Sequence, residues 1–463
     1  MNLRSRKIQI KQPKQTPQIN RFAEINYEEE EQQEEDIISK LPDALLTHIL
    51  SLLPDSDANR TRILSNRWRN LWMFLPNLHF VMPFCWSVGE VNKFHDSVDT
   101  ALSIRGGMPV DRFYLYCSKN CDYDRVYGWI CSVVRWRVGE IELRFPADRF
   151  RVRFCWSLFR TCKTLVSLIL RGEFVLDVPR DELLFPCLKR IDLVSIVYAG
   201  DETIVNLVSG CPVLEELFVE RQVIGRFDNV QTFKVSSASL KRLRISFALC
   251  VLGNYRVVID APKLEYVYIL DVMSTDYSLT KALSLVEANI KARTDSNTES
   301  VAQIVAILSP VKVLTLTDST LMALSYVHNL NIPRFANLVK FVVGIDCLWG
   351  WNLLPTLLHN MPNLEHITFS DGLVPFPRVQ YAFNMNWVPP EDVPDCLRYK
   401  MAEITICNRE PVVQEEFGLI RYLLQHSGNL RVLRINSHRN DSKSRERLLS
   451  FHRSSKQSRV EFV

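Results

Sequence analysis

The chain contains few glycines, 15 among 463 residues, and they form no Gly-rich loop of the kind that binds phosphate. Its nine histidines are scattered, and no two of them have the helical spacing of zinc-protease ligands. These absences do not exclude an enzyme, but they favour a non-catalytic protein. We therefore predict no catalytic residue and no cofactor.

Long apolar runs are also missing. No run approaches the roughly 18 to 20 residues that cross a bilayer, and the basic N-terminal stretch lacks the apolar core of a signal peptide. Neither sign of charge dominates, since 56 Lys and Arg oppose 52 Asp and Glu. We expect a soluble, intracellular protein of the cytoplasm or nucleus with no membrane partner.

The twelve cysteines occur singly in apolar segments. In a reducing compartment such residues are more often small buried hydrophobes than disulfides. Cys117 and Cys121, in "CSKNC", form the one close pair, but no second pair or neighbouring His has metal-ligand spacing. The sequence therefore predicts no metal site.

Residues 1–36 are predicted to be a disordered charged tail. Residues 1–21 hold six basic and no acidic residues, and 24–36 hold eight acidic ones, so the segment cannot bury enough apolar area to fold. A solvated tail is the preferred interpretation. A nuclear-import or nucleic-acid-binding arm is the alternative.

Residues 41–76 read as three short helices. In "LPDALLTHILSLLP", Pro42 suits the first turn and apolar residues recur at helical spacing until Pro54. Asp55 or Ser56 is the predicted cap of a second helix, and Ser65 that of a third. The module is too small to enclose all its large apolar side chains, so some must be covered by something else.

From residue 110 onward, the pattern L-x-x-L-x-L recurs thirteen times, with aliphatic and aromatic variants. Eleven of the twelve steps between units lie within the range of about 20 to 29 residues typical of leucine-rich repeats. Segments such as "DETIVNLVSGCPVLEELFV" add an amphipathic helix before the strand, with Ile204, Leu207 and Val208 on its buried face. The predicted fold is α/β: an N-terminal helical module followed by a solenoid with a parallel sheet on its concave side and helices on its convex side.

Strand alternation places the third and fifth residues of each unit on the concave face. Three consecutive units present a set of aromatic and arginine side chains, the types that dominate interface hot spots. We predict that a protein substrate binds this aromatic–arginine patch, defined as Phe218, Arg242, Arg244, Tyr266 and Tyr268. The alternative is that the rings only shield the sheet, with Arg stacked over them.

The order of these parts resembles that of plant F-box/FBD/leucine-rich-repeat proteins. The F-box resemblance rests on residues 39–75, with "LSNRWRNLW". The repeats resemble the family through "CKTLVSLIL", "SGCPVLEEL" and "IDAPKLEY", and the FBD segment through "VPDCLRYKMAEITI", "EEFGLIRYLLQHSGNLRVLRI" and "RVEFV". The implied domains are an F-box at 37–83, a solenoid at 84–385 and an FBD segment at 386–463 that continues the repeat array.

The resemblance implies a substrate-receptor subunit of an SCF-type ubiquitin ligase. Its F-box would dock on a Skp-type adaptor and, through it, on a cullin, while the repeats hold an unknown protein substrate. The implied adaptor-facing set, carried over by position, is Leu41, Pro42, Leu45, Ile49, Leu50, Leu53, Leu64 and Trp68. For each of these residues, packing within the helical module is the alternative.

Three polar residues depart from the family pattern: Asn59, Arg60 and Arg62 stand where the family commonly has small, apolar or hydroxyl residues. They could weaken adaptor binding, so a repeat scaffold with no ubiquitin-ligase link is the second hypothesis. A nucleic-acid binder is disfavoured, because Glu140 and Glu142 share the predicted concave face and no long basic stripe is present.

Overall fold

The computed structural model describes eighteen stretches of the chain. The described residues are 38–53, 55–71, 74–82, 87–117, 121–146, 152–154, 156–172, 174–180, 184–221, 230–247, 255–271, 276–280, 283–292, 298–345, 348–373, 389–408, 416–437 and 442–463. The chain divides into two compact units, Met1–Leu46 and Thr47–Val463. The predicted charged tail, 1–36, lies outside the described residues.

The described part of the first unit contains a 3₁₀ turn, Ile38–Lys40, and the start of helix α1, Asp43–Ser51. Pro42 directly precedes α1, as its fixed φ and missing N–H favour, and its carbonyl accepts hydrogen bonds from the Leu45 and Leu46 N–H groups. Helix α1 continues into the second unit and ends three residues before Pro54.

The second unit opens with two more short helices, α2 at Asp55–Arg60 and α3 at Asn66–Leu71, separated by a 3₁₀ turn at Thr61–Ile63. Ser65 caps α3 as predicted, because its Oγ accepts a hydrogen bond from the Trp68 N–H at 3.4 Å. The caps predicted for α2 rest on side chains outside the described part of the chain. All three helices expected from the sequence are present.

A parallel sheet of 15 strands follows the helical module. In spatial order its strands are β1 (Asn77–Val81), β2 (Arg112–Tyr116), β3 (Glu140–Arg144), β5 (Ser167–Arg171), β7 (Arg190–Val194), β9 (Glu216–Glu220), β11 (Arg242–Phe247), β13 (Tyr266–Asp271), β15 (Glu287–Ala292), β16 (Val313–Leu316), β17 (Lys340–Val343), β18 (His366–Phe369), β19 (Glu403–Asn408), β20 (Val432–Ser437) and β21 (Arg459–Phe462).

Each of the thirteen predicted repeat units supplies one strand of this sheet, β2 to β20 in the order above. Two strands of this sheet were not predicted: β1, before the first repeat, and β21, after the last repeat. The sheet therefore begins at Asn77, inside the segment assigned to the F-box, and β19, β20 and β21 extend it through the FBD segment.

One face of the sheet forms the core of the second unit. The second and third apolar residues of each repeat point inward, and pairs such as Leu217 and Val219 or Leu243 and Ile245 are fully buried. Because a single repeat cannot cover this apolar face alone, burial depends on stacking against the next repeat. On the other face the residues of β2, β3 and β9 are partly buried, except Arg112, which is exposed.

Helices lie between strands along the array. They are α4 (Val88–Arg105), α5 (Tyr123–Arg135), α6 (Glu202–Ser209), α7 (Thr298–Ile307), α8 (Asp318–Ser325), α9 (Leu348–His359), α10 (Asp395–Tyr399), α11 (Glu416–His426) and α12 (Ser442–Leu449). The predicted buried face of α6 is confirmed, since Ile204, Leu207 and Val208 are buried.

The middle of the array contains strands that the sequence analysis did not predict. Several units instead carry a second short strand, and these strands form two further parallel sheets. One sheet joins β4 (Val152–Arg153), β6 (Phe174–Leu176) and β8 (Val197–Tyr198), and the other joins β10 (Thr232–Ser236), β12 (Arg256–Asp260) and β14 (Asp276–Leu279). The physical reason is the two-residue period of their apolar side chains, as in Phe233 and Val235, which suits a strand and not a helix.

Candidate protein-binding sites

The N-terminal helices carry large apolar side chains that the chain leaves uncovered. Leu45 and Ile49 occupy positions i and i+4 of α1 and are 50% and 40% exposed, and Leu53 is exposed just beyond the helix. Leu64, after the 3₁₀ turn, is 64% exposed. Large apolar side chains left in water at this density are typical of an interaction surface.

The eight residues predicted to face an adaptor divide into two groups. Pro42, Leu45, Ile49, Leu53 and Leu64 are exposed, and Leu41 is partly buried. Leu50 and Trp68 are only 1% and 5% exposed, so the prediction that they await a partner's cover is corrected. Leu50 is one helical turn from Leu46, and both lie on the buried side of α1, whereas Leu45 and Ile49 lie on the exposed side.

Three further exposed side chains of this region were not included in the predicted set: Ile38, Leu52 and Ile63. They are apolar like the residues of the predicted set, but helical spacing alone did not separate them from core residues. Arg60, one of the three departures from the family pattern, is exposed and pairs with Asp57 at 3.4 Å. The side chains of Asn59 and Arg62 lie outside the described part of the chain.

The five residues of the aromatic–arginine patch are brought together on three neighbouring strands. Arg244 pairs in register with Phe218 on one side and Tyr268 on the other, and Arg242 with Tyr266. The Arg244 guanidinium carbon lies 4.9 Å from the Phe218 ring centre and 4.5 Å from that of Tyr268. Arg242 stacks on Tyr266 at 4.4 Å.

This stacking is the arrangement that the alternative interpretation of the patch describes. Cation–π contacts of this kind contribute about 0.5 to 1 kcal/mol each at exposed sites, and Tyr268 is almost covered by its neighbours. Partial burial raises the pKa of the Tyr266 hydroxyl, with Glu287 adding to the shift. The patch is therefore pre-organised before any partner arrives.

Ion pairs cross neighbouring strands on the same face of the sheet. Arg112 lies 3.0 Å from Glu140 at one end, and Arg434 lies 3.2 Å from Glu403 and 3.1 Å from Glu461 at the other. These pairs are partly exposed, so solvent screens their attraction. Arg112 and Arg434 are thus already paired with acids of the protein.

Asp192 is the buried carboxylate of this ladder. It is 3% exposed, and its Oδ2 lies 2.9 Å from Arg171 Nη2. Burial raises the pKa of Asp192, although Arg171 and Arg190 act in the opposite direction. Because Asp192 lies between Ile169 and Phe218 in the sheet, this pair fixes the strand that borders the aromatic–arginine patch.

The cysteine pair contacts a histidine that sequence spacing did not reveal. Cys117 and Cys121 Sγ atoms are 2.9 Å apart, and His95 Nε2 lies 3.5 Å from the Cys121 sulfur. Burial lowers the pKa of His95. The hydrogen bond with Cys121, together with burial, raises the pKa of Cys117. Within the described ranges, no group of three or more His, Cys, Asp or Glu residues could hold a metal ion.

Thiol reactivity should separate the described cysteines sharply. Burial raises the pKa of Cys211 and of Cys396 to about 12, whereas Cys187 is exposed. Because the thiolate is the reactive form, we expect Cys187 to react with a maleimide while Cys211 and Cys396 stay unlabelled until the chain is denatured. Mass mapping of labelled peptides tests this. Equal labelling of all three residues without denaturant would contradict the packing described above.

Membrane-spanning helices were sought among the described residues. None of the helices there is both long enough and apolar enough to cross a bilayer.

A repeat sheet with a free face, preceded by helices with uncovered apolar side chains, defines a protein-interaction adaptor of the leucine-rich-repeat class. Family comparison agrees with this class. Residues 38–80 match the F-box domain, and residues 126–291 match the leucine-rich repeats described for the FBD-associated F-box protein At5g56370.

Similar proteins are found in Arabidopsis thaliana. The F-box/FBD/LRR-repeat protein At3g59240 is 32% identical over 72% of this chain and 68% of its own length, and the F-box/LRR-repeat protein At3g59190 is 33% identical over 72% and 92%. The FBD-associated F-box protein At5g22730 is 30% identical over 86% and 87%.

The chain belongs to the plant F-box/FBD/leucine-rich-repeat family. Proteins of this family are generally non-catalytic adaptors, and F-box domains generally bind Skp-type adaptors in SCF complexes. The predicted family and fold class are therefore confirmed.

Proposed function

We propose that the protein is the substrate-receptor subunit of an SCF-type ubiquitin ligase. The observation that carries the proposal is the exposure of Leu45, Ile49, Leu53 and Leu64 in the F-box segment. Such side chains gain about 1.5 to 3 kcal/mol each when fully buried, so a second polypeptide that covers them would bind tightly. A Skp-type adaptor is that polypeptide in this proposal, and it carries the cullin.

The receptor itself performs no bond chemistry in this role. It raises the effective concentration of substrate lysines near a conjugating enzyme that the cullin holds elsewhere in the assembly. The aromatic–arginine patch is the proposed substrate surface, because it combines rings and arginines on a pre-organised face. The proposed site of action is the cytoplasm or the nucleus.

Affinity capture with the proteasome blocked tests the proposal. The intact chain is compared with a variant that lacks residues 37–76. This deletion ends just before β1. We expect the adaptor and the cullin to copurify only with the intact chain, while a substrate copurifies with both. Failure of the intact chain to retain any ligase subunit would overturn the proposal.

A repeat scaffold without a ligase link is the second candidate. It is favoured by Arg60, whose exposed charge stands within the F-box segment where the family commonly has a small or apolar residue. The same capture separates the two functions. Substrate recovery without adaptor or cullin would support the scaffold.

A further inference from the structure

On the exposed face of the sheet, two cations lie over the same tyrosine ring. Arg244, on β11, and Lys291, on β15, both lie over Tyr268, the ring on the strand between them, at 4.5 Å and 5.8 Å from its centre. Among the described residues, neither side chain makes a hydrogen bond or an ion pair. This cluster is called the Tyr268 site below.

The surroundings of the Tyr268 site differ from those of the other strand-to-strand cations. Arg112, Arg171 and Arg434 each lie within 3.2 Å of a carboxylate oxygen. Arg242, next to Arg244 on β11, has Glu216 at 3.9 Å. The donors of Arg244 and Lys291 are therefore available to a partner, whereas those of the paired arginines are already used.

The geometry of Arg244 suits an anionic ligand. Its guanidinium is held between the Phe218 and Tyr268 rings, so its orientation is limited while its N–H groups keep no protein acceptor among the described residues. A planar guanidinium of this kind binds a carboxylate with two parallel hydrogen bonds. Little side-chain entropy remains to be lost on binding, because stacking has already ordered the group.

Glu287, an acid on the same strand as Lys291, lies towards the other end of that strand. Glu287 begins β15 and pairs in register with Tyr266, whereas Lys291 pairs with Leu270 near the other end of the strand. Four residues of strand separate Glu287 from Lys291, about 13 Å. Asn289, between them and opposite Tyr268, adds a polar side chain whose Oδ1 has no hydrogen-bond partner.

We propose that the Tyr268 site binds a carboxylate side chain of an extended acidic segment in the protein substrate. The inference rests on the proposed function, since it names the chemistry that the substrate surface selects. Arg244 binds the carboxylate through hydrogen bonds, and Lys291 adds a second positive charge. The flanking rings contact the aliphatic part of the bound segment. A phosphorylated segment is a separate possibility that the experiment distinguishes.

Selection from a displayed library of random twelve-residue peptides tests the proposal on the full chain. We expect sequences enriched in Asp and Glu, and binding of the best of them that weakens at least about 10-fold when its acidic residues become Asn and Gln. The double variant Arg244→Gln and Lys291→Gln should lose binding by the same factor. Because the contact is charged and partly exposed, raising the salt concentration should weaken it too.

Lys340→Gln is the matched control. Lys340 lies on the same face of the sheet, on β17, and its side chain is exposed two strands beyond β15, the last strand of the Tyr268 site. It should leave peptide binding unchanged, and circular dichroism should give the same melting curve for all variants. Enrichment of basic or purely apolar peptides, or equal loss of binding in the control, would overturn the proposal.

Two further readouts keep the outcomes separate. If a peptide with phosphoserine in place of its acidic residues binds and the carboxylate form does not, the committed ligand chemistry is wrong. Adaptor binding is measured on the same preparations. Adaptor binding without acidic enrichment defeats the Tyr268 site alone, whereas acidic enrichment without adaptor binding defeats the ligase role alone.

Discussion

Replacing Leu45 and Ile49 with Asp is expected to weaken binding of a Skp-type adaptor at least about 100-fold, since each 1.4 kcal/mol is a factor of ten. Both side chains lie on the exposed side of α1, so a partner that covers them would have to bury two carboxylates, at a cost of several kcal/mol without compensating bonds. Fluorescence anisotropy with labelled adaptor measures the change.

The fold of the variant should stay intact, because neither residue contributes to the core. Leu449→Asp is the matched control, since Leu449 is 50% exposed, the same fraction as Leu45, but lies on α12 at the far end of the chain. Adaptor affinity should not change in that variant. An adaptor that binds the Leu45 and Ile49 variant as tightly as the unaltered chain would show that α1 is not the contact.

Replacing Gly172 with Ala is expected to cost at least about 4 kcal/mol of stability, an exceptional value for one substitution. Gly172 has φ +125, which L side chains rarely adopt, and an added Cβ would lie 2.0 Å from the Phe145 carbonyl oxygen. The obstructing atom belongs to the backbone of a neighbouring unit and cannot rotate away. Urea unfolding followed by circular dichroism measures the loss.

Gly200→Ala separates this clash from a general effect of removing glycine. Gly200 also lies shortly after a strand, in the connection from β8 to α6, but an added Cβ there has no atom within 4 Å. Its midpoint should change little. Because units of a repeat array stabilise their neighbours, the Gly172 variant should lose structure first around β5, β6 and β7. Coincident unfolding curves for both variants would contradict the close approach described here.

Much of the main sheet could be predicted because one physical requirement repeats along the chain. A strand must put two apolar residues inward in every unit, and a repeat near 25 residues brings each strand beside the last, which located all thirteen predicted strands. The first strand was missed although Leu75, Leu78 and Phe80 carry the pattern and are buried. These residues lie within the predicted F-box segment, 37–83, so the repeat was not traced back far enough.

The terminal and opposing strands carried weaker signals. Strand β21, "RVEF", alternates but has no leucine three positions before its first apolar residue, so it does not complete a repeat unit. The strands of the two smaller sheets are two to five residues long. In such short segments, alternating polar and apolar residues occur in turns as well as in strands. Only pairing with the next repeat distinguishes a strand from a turn.

The candidate sites were predicted in part for a related reason. The repeat period fixed which residues are neighbours, and so placed Arg244 between Phe218 and Tyr268. The repeat period did not predict which Arg and Lys side chains form ion pairs, because ion pairing depends on side-chain conformations on neighbouring strands. In the same way, apolar spacing marked α1 as amphipathic but could not separate the buried Leu50 from the exposed Ile49, since α1 is apolar on more than one side.

The central claim is that the exposed apolar side chains of the F-box segment await a second polypeptide. Isothermal titration of purified full-length chain with a purified Skp-type adaptor, at several temperatures, tests it directly. The account predicts one adaptor per chain, a dissociation constant below about 1 μM and a negative heat-capacity change, the mark of apolar burial. No saturable binding at tens of micromolar, or binding with no heat-capacity change, would contradict it.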